Sequence, residues 1–247
     1  METINYTLTK TNLYEQIAGR LEQAIIRSGE KLQKLPSEQE LSKNFNVSRT
    51  VIREALKVLK ERGLIDSRNG GGSFIVSPKT ETISGALDRI IQIKNINNDD
   101  LHNMRLILET EGARLAALNP LTDEIEELED ILQKMEDVSL PLEKRIRLDA
   151  EFHVTMVRAG KNELLGIFTE VMTLLLNDYM VKGVFGPSGI RKTLVQHRKI
   201  LEAIRRGDPN SAEKALRAHL IAARENVGKY EETSPSEKEP KELWRQL

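Results

Sequence analysis

The stretch that decides the fold reads LPSEQELSKNFNVSRTVIREALKVLKERGLIDSRNGGGSFIV over residues 35–76. Ser37 and Glu40 form an S-x-x-E capping box, in which each side chain satisfies a free backbone N–H at a helix start. Ser48 is a second N-cap residue. The helix after it is predicted to run to Arg62 and end at Gly63, because glycine tolerates the left-handed conformation at a helix end. The stretch therefore predicts two short helices in close succession.

The hydrophobic period changes after Gly63. Residues 64–68 and 73–76 are short strand candidates, and the Asn-Gly-Gly-Gly sequence at 69–72 is typical of a hairpin turn. An earlier helix is predicted over residues 12–28, where apolar residues recur at helical spacing. Three helices followed by a hairpin is the order of elements in a winged helix-turn-helix.

The second helix of the pair presents polar residues at its N-terminal end. They are Ser48, Arg49, Thr50 and Arg53. A helix N-terminus favours phosphate, and arginine can bond both O6 and N7 of guanine in the major groove. The bare wing tip around Gly70 would let the backbone approach DNA closely. The alternative is a merely solvated charged face, but the capped helix pair and the glycine-rich hairpin favour a DNA-binding surface.

The rest of the chain has helical periodicity up to about residue 229. Seven helices are predicted, near 82–94, 99–118, 122–138, 142–159, 162–182, 187–206 and 209–229. The predicted fold is mainly α, with a winged helix-turn-helix in residues 1–78 and an antiparallel all-α bundle of six to seven helices in residues 79–230. Residues 231–247 are polar and poor in apolar side chains, so they are predicted to form a disordered tail.

Composition narrows the class of protein. The 247 residues include no cysteine, which excludes disulfides, thiolate metal ligands and a cysteine nucleophile. We expect a cytoplasmic protein with no membrane partner, since neither a signal peptide nor a long apolar run is present. Residues 1–79 hold 13 Lys and Arg against 9 Asp and Glu, although the whole chain has a net charge of −1. This asymmetry fits two domains with different partners.

Three of the four histidines fall into a pattern with one aspartate. Asp149 and His153 are four residues apart on one helix face, and His197 and His219 lie on the apolar faces of the last two predicted helices. A buried set of this kind would suit a divalent metal ion with nitrogen-rich coordination, zinc first and nickel or manganese as alternatives. On spacing alone, hydrogen-bonded core histidines are the favoured interpretation.

Arg105 is a candidate for binding an acidic ligand. It lies beside a predicted inward stripe of the 99–118 helix, consisting of Leu101, Met104, Leu108 and Leu115. An arginine at a bundle wall needs an anion, and a carboxylate would supply one with bidentate geometry. The alternative is an ion pair with Glu109, four residues on. His102 falls outside the metal pattern and is expected to be exposed.

The quoted motifs resemble those of the GntR family of transcription regulators over residues 10–77. This resemblance implies DNA contacts by Arg49, Thr50, Arg53 and Gly70. Position 39 holds Gln39 where many members have arginine, so Gln39 is expected to be a weaker DNA contact.

The later residues resemble the FCD ligand-binding domain of the FadR branch. The similarity is carried by Met-Arg-Leu-Ile-Leu-Glu at 104–109, Asp-Ala-Glu-Phe-His at 149–153, and the segments around His197 and His219. In that family the aspartate and three histidines bind a metal in many members, which implies the same role here.

Together these observations predict a transcription regulator, expected to be a homodimeric repressor that reads a palindromic operator in double-stranded DNA. A small organic acid bound at the metal would control operator affinity. Two alternatives stay open. One is a metal-dependent hydrolase-type enzyme that uses Asp149, His153, His197 and His219 to activate water. The other is a regulator in which the metal is purely structural.

Overall fold

The structure is a computed structural model that describes residues 13–29, 32–68, 72–77, 79–137, 139–176 and 189–233. The chain divides into two compact units, with the boundary between Thr82 and Ile83. The sequence placed this boundary four residues earlier. Within the described part of the chain, no helix is long and apolar enough to cross a membrane.

The N-terminal unit has the predicted order of three helices and a hairpin. Its elements are α1 (Leu13–Ser28), α2 (Glu38–Phe45), α3 (Arg49–Glu61), β1 (Ile65–Arg68) and β2 (Gly72–Ile75). The two strands are antiparallel, with Ile65 opposite Ile75. Their buried side chains join those of the three helices in one apolar core.

Local sequence signals explain how α2 and α3 begin and end. Both halves of the Ser37–Glu40 capping box are formed at the start of α2. Asn46 ends α2 in the left-handed conformation, with φ of 53°, and this turns the chain sharply into α3. Ser48 then caps α3 by accepting from Val51 N. The predicted helix-turn-helix is confirmed.

The C-terminal part contains seven helices among the described residues. They are α4 (Thr80–Lys94), α5 (Asn98–Leu118), α6 (Thr122–Glu136), α7 (Leu142–Ala159), α8 (Glu163–Leu175), α9 (Gly189–Arg205) and α10 (Pro209–Thr233). The mainly α fold is confirmed. The predicted tail began too early, because α10 continues to Thr233, and residues 234–247 lie outside the described residues, as do 177–188.

Helices α5 and α7 approach each other closely because glycine occupies their contact. A Cβ atom placed on Gly112 would lie 2.5 Å from Val157 Cγ2 and 2.9 Å from two further Val157 carbons. Carbon atoms normally pack about 3.5–4.0 Å apart. Only a residue without a side chain therefore fits at position 112, and this brings the polar residues of α5 against those of α7.

Candidate functional site

The N-terminal end of α3 exposes the residues predicted to bind DNA. Arg49 and Arg53 have side chains 60% and 63% exposed, and both contact one carboxylate oxygen of Glu38, at 3.3 Å and 2.9 Å. The hydrogen bond from Arg53, supported by Arg49, lowers the pKa of Glu38. Thr50 and Gln39 are also exposed. All four side chains are therefore accessible, whereas Gly70 lies outside the described residues.

The C-terminal unit brings the three predicted imidazoles together in its core. His153 comes from α7, His197 from α9 and His219 from α10, and none is more than 4% exposed. His219 Nε2 lies 3.2 Å from His153 Nε2 and 3.3 Å from His197 Nε2. His197 Nε2 is 3.5 Å from Asp149 Oδ1, one turn before His153 on α7. The three imidazoles therefore converge, with ligand nitrogens within 4.8 Å of one another, and Asp149 lies at one side of them, against His197.

The outer ring nitrogens of two imidazoles have acceptors beside them. His219 Nδ1 is 3.0 Å from Gln196 Oε1, and His153 Nδ1 is 2.6 Å from Glu109 Oε2 in a bent contact. An acceptor at Nδ1 places the ring hydrogen there and leaves a lone pair on Nε2. Two inward-facing Nε2 atoms at this spacing then repel each other unless a cation lies between them.

Burial sets the protonation of the cluster. It lowers the pKa of His197 and His219 well below the usual range, with added repulsion from neighbouring imidazoles, so both rings are neutral at physiological pH. Burial also raises the pKa of Asp149. Asp149 Oδ1 is buried and has no hydrogen-bond partner. A buried carboxylate oxygen without a hydrogen-bond partner, beside neutral imidazole nitrogens that face one another, fits a divalent metal ion.

A buried ion pair borders the cluster on α5. Arg105 Nε donates to Glu109 Oε1 at 2.5 Å, and the two side chains are 4% and 1% exposed. Burial would raise the pKa of Glu109, but Arg105 and His153 together lower it to about 2. Arg105 Nη2 is buried and has no hydrogen-bond partner. The ion pair expected as an alternative role for Arg105 is thus present, and the arginine still has a free donor.

The inner face of α5 differs from the predicted stripe. Met104 is 44% exposed, whereas His102 is only 2% exposed, so the expectation of an exposed His102 was wrong. The buried positions include Arg105, Glu109 and Gly112. Leu108 is buried and Leu101 and Leu115 are partly buried, so among the stripe residues only Met104 is exposed. The polar Glu109, next to Leu108, is buried against His153.

Two family models match the chain. The model described as "Bacterial regulatory proteins, gntR family" matches residues 13–75, and that of the FCD domain matches residues 100–222. The regulator LutR of Bacillus subtilis (strain 168) is 30% identical over 202 residues, which cover 80% of this chain and 92% of LutR. The chain belongs to the GntR family.

Further relatives agree with this assignment. The transcriptional repressor NanR of Escherichia coli (strain K12) is 32% identical to this GntR-family regulator over 230 residues, covering 86% of the chain and 83% of NanR. A solved structure of Streptococcus agalactiae GntR matches with a TM-score of 0.66 at 29% identity, over 86% of this chain and 99% of that one.

The pairing of a GntR helix-turn-helix with an FCD domain is the FadR-type architecture, as the sequence predicted. This GntR-family protein is a DNA-binding transcription regulator and not an enzyme, since its relatives are transcription regulators. The hydrolase alternative is therefore set aside.

Glu109 is the site residue that sequence reasoning did not assign. It was considered only as a partner for Arg105, yet its second oxygen faces His153. A sequence signal for Glu109 does exist. The helical spacing of positions 105, 109, 112 and 116 puts Arg105 and Glu109 on the same face of α5 as a glycine and an alanine. Small residues on one helix face indicate close packing, and polar residues on the same face are then buried.

Proposed function

We propose that this GntR-family regulator is a repressor whose operator affinity is controlled by a small organic acid bound beside a divalent metal ion in the FCD domain. The observation that carries the proposal is the close approach of three buried imidazole nitrogens, with an aspartate oxygen that lacks a hydrogen-bond partner 3.5 Å from one of them.

Asp149, His153, His197 and His219 would hold the ion, with zinc preferred and nickel or manganese as alternatives. Their donor set of one oxygen and three nitrogens is one that zinc accepts, and four such donors would fill its preferred tetrahedron. A carboxylate or hydroxyl oxygen of the acid would then join the bound ion as a fifth donor. Phe152 is stacked on His197, with ring centroids 4.3 Å apart, and fixes the orientation of that ring.

Arg105 would bind the carboxylate of the acid. Its Nε is occupied by Glu109, but its buried Nη2 has no hydrogen-bond partner. A buried guanidinium nitrogen without an acceptor is costly, and an anionic ligand would remove that cost. This supports an acid rather than a neutral ligand.

The DNA-binding half of the proposal rests on the accessible end of α3. Ser48, Arg49, Thr50 and Arg53 would contact the major groove, with Gly70 at the wing and Gln39 as a weaker contact. A homodimer would place two such helices on the halves of a palindrome. An acid that binds one arrangement of the dimer better would shift its population, and about 3 kcal/mol of coupling changes affinity about 150-fold.

The first test is thermal unfolding of metal-stripped and zinc-restored protein with a panel of carboxylates and sugar acids. A ligand of the native state raises the melting temperature by mass action. We expect zinc to stabilise the protein, one acid to add a further shift only with zinc, and Arg105→Ala to abolish the acid's shift. Arg114→Ala is the matched control, because Arg114 lies on the same helix but is partly exposed and paired with Glu111.

Stabilisation by zinc without a shift from any acid would make the metal structural and contradict effector control. The DNA surface is tested separately with a duplex selected from a random pool. Arg49→Ala and Arg53→Ala should lose specific binding and remain dimeric, whereas Lys60→Ala, at the other end of α3, should bind as the wild type does. Unchanged affinity in both arginine variants would refute the assignment of the recognition helix.

A further inference from the structure

We propose that Glu109 is a positioning residue for the metal site: it holds the ring of His153 so that Nε2 faces the cluster. The inference rests on the proposed function, because it gives a role to a residue that would not itself touch the ion. The observation behind it is the placement of both oxygens of Glu109: one accepts a hydrogen bond from Arg105 Nε at 2.5 Å, and the other lies 2.6 Å from His153 Nδ1 in the bent contact described above.

The geometry of the Arg105–Glu109 pair is not that of the strongest arginine–carboxylate ion pairs. An arginine and a carboxylate pair most strongly through two parallel bonds. Here Arg105 uses Nε alone, and its Nη2 has no partner although it is buried. The second oxygen of Glu109 is directed to His153 instead, so a favourable bidentate bond is given up for contact with the imidazole.

The contact fixes the tautomer of His153. With the hydrogen on Nδ1 beside the carboxylate, the lone pair is on Nε2, which lies 3.2 Å from His219 Nε2 inside the cluster. Metal-binding histidines generally donate their other ring N–H to a carboxylate or carbonyl, and loss of that partner typically weakens metal affinity about 10–100-fold. Gln196 stands in the same relation to His219.

The main competing explanation is that Glu109 only neutralises Arg105. Removing both charges together distinguishes the two roles, because a buried ion pair can often be replaced by apolar residues of similar size without loss of stability. The proteins to compare are the wild type, Arg105→Met, and the double variant Arg105→Met/Glu109→Met. Glu111→Gln is the control, since Glu111 lies on the same helix, is 46% exposed and pairs with Arg114.

Two quantities are measured on the purified 247-residue chain. One is the zinc dissociation constant, from competition with a chromophoric chelator. The other is the tautomer of His153 in zinc-free protein, from the 15N shifts of its ring. Circular dichroism checks folding, and if Arg105→Met does not fold, Glu109→Gln against the wild type replaces the comparison.

We expect the double variant to bind zinc about 10–100-fold more weakly than Arg105→Met, with His153 shifted toward a mixture of tautomers. Glu111→Gln should match the wild type in both measurements. Equal zinc affinity in the single and double variants, or an unchanged tautomer, would overturn the role of Glu109 and leave the proposed function intact. A wild type that binds no zinc would overturn both.

Discussion

The close contact between α5 and α7 makes Gly112→Ala an informative substitution. The new methyl group would lie 2.5 Å from Val157 Cγ2, so the two helices would have to separate by about 1 Å to reach an ordinary carbon contact. Val157 is fully buried and β-branched, which leaves its side chain little freedom to turn away. Overpacking of this kind costs about 1–3 kcal/mol.

Helix propensity opposes that loss. Alanine is favoured over glycine by about 1 kcal/mol in a helix interior, so Gly112→Ala alone should lower the free energy of unfolding by only about 0–2 kcal/mol. Gly228→Ala in α10 separates helix propensity from the steric clash, because a Cβ at position 228 would have no neighbouring atom within 4 Å. That variant should gain about 0.5–1 kcal/mol. The difference between the two variants, about 1–3 kcal/mol, then isolates the clash.

Urea unfolding of zinc-free protein followed by circular dichroism provides the free energies. Adding Val157→Ala removes the contacts of Cγ1 and Cγ2 but leaves Val157 Cβ 2.9 Å from the new side chain. Part of the clash is relieved, so the double variant should be more stable than the sum of the single changes predicts, by up to about 1–3 kcal/mol. Stabilisation of Gly112→Ala to the same extent as Gly228→Ala, or a coupling energy near zero, would refute the steric argument and with it the reason why Glu109 reaches His153.

Two further predictions concern the DNA-binding unit. Glu38→Gln should free Arg49 and Arg53 and raise affinity for random duplex DNA about 2–5-fold, as expected from loss of exposed ion pairs, with a steeper salt dependence. The control is Glu54→Gln, an exposed glutamate of the same unit, and an equal gain there would indicate a general charge effect. Ser37→Ala should lower stability by about 1 kcal/mol through loss of the α2 cap, measured by thermal unfolding, and an unchanged melting temperature would contradict the importance of the cap.

The helix-turn-helix and most helix boundaries followed from sequence, because caps and glycines are local signals. Ser37, Ser48 and Gly63 act within a few residues of their own position, so no tertiary information was needed to interpret them. The exposure of Met104 and the burial of Glu109 on α5 were not predictable in this way. Apolar periodicity favoured a face containing Met104, which the structure exposes. The partner that turns Glu109 inward is His153, 44 residues later in the chain, and only the fold brings the two together.

The polar stripe on α5 also bears on how uniquely this helix is oriented. Met104 and Ile107 are 44% and 63% exposed, whereas Arg105 and Glu109 are buried. Apolar burial alone would therefore favour a helix rotated about its own axis, with the charges in water. Such a rotation would separate Glu109 from His153, so the contact between these two residues holds α5 in one orientation about its axis. Removing both charges is expected to leave the bundle stable but to let α5 sample more than one orientation, which would broaden NMR signals along this helix.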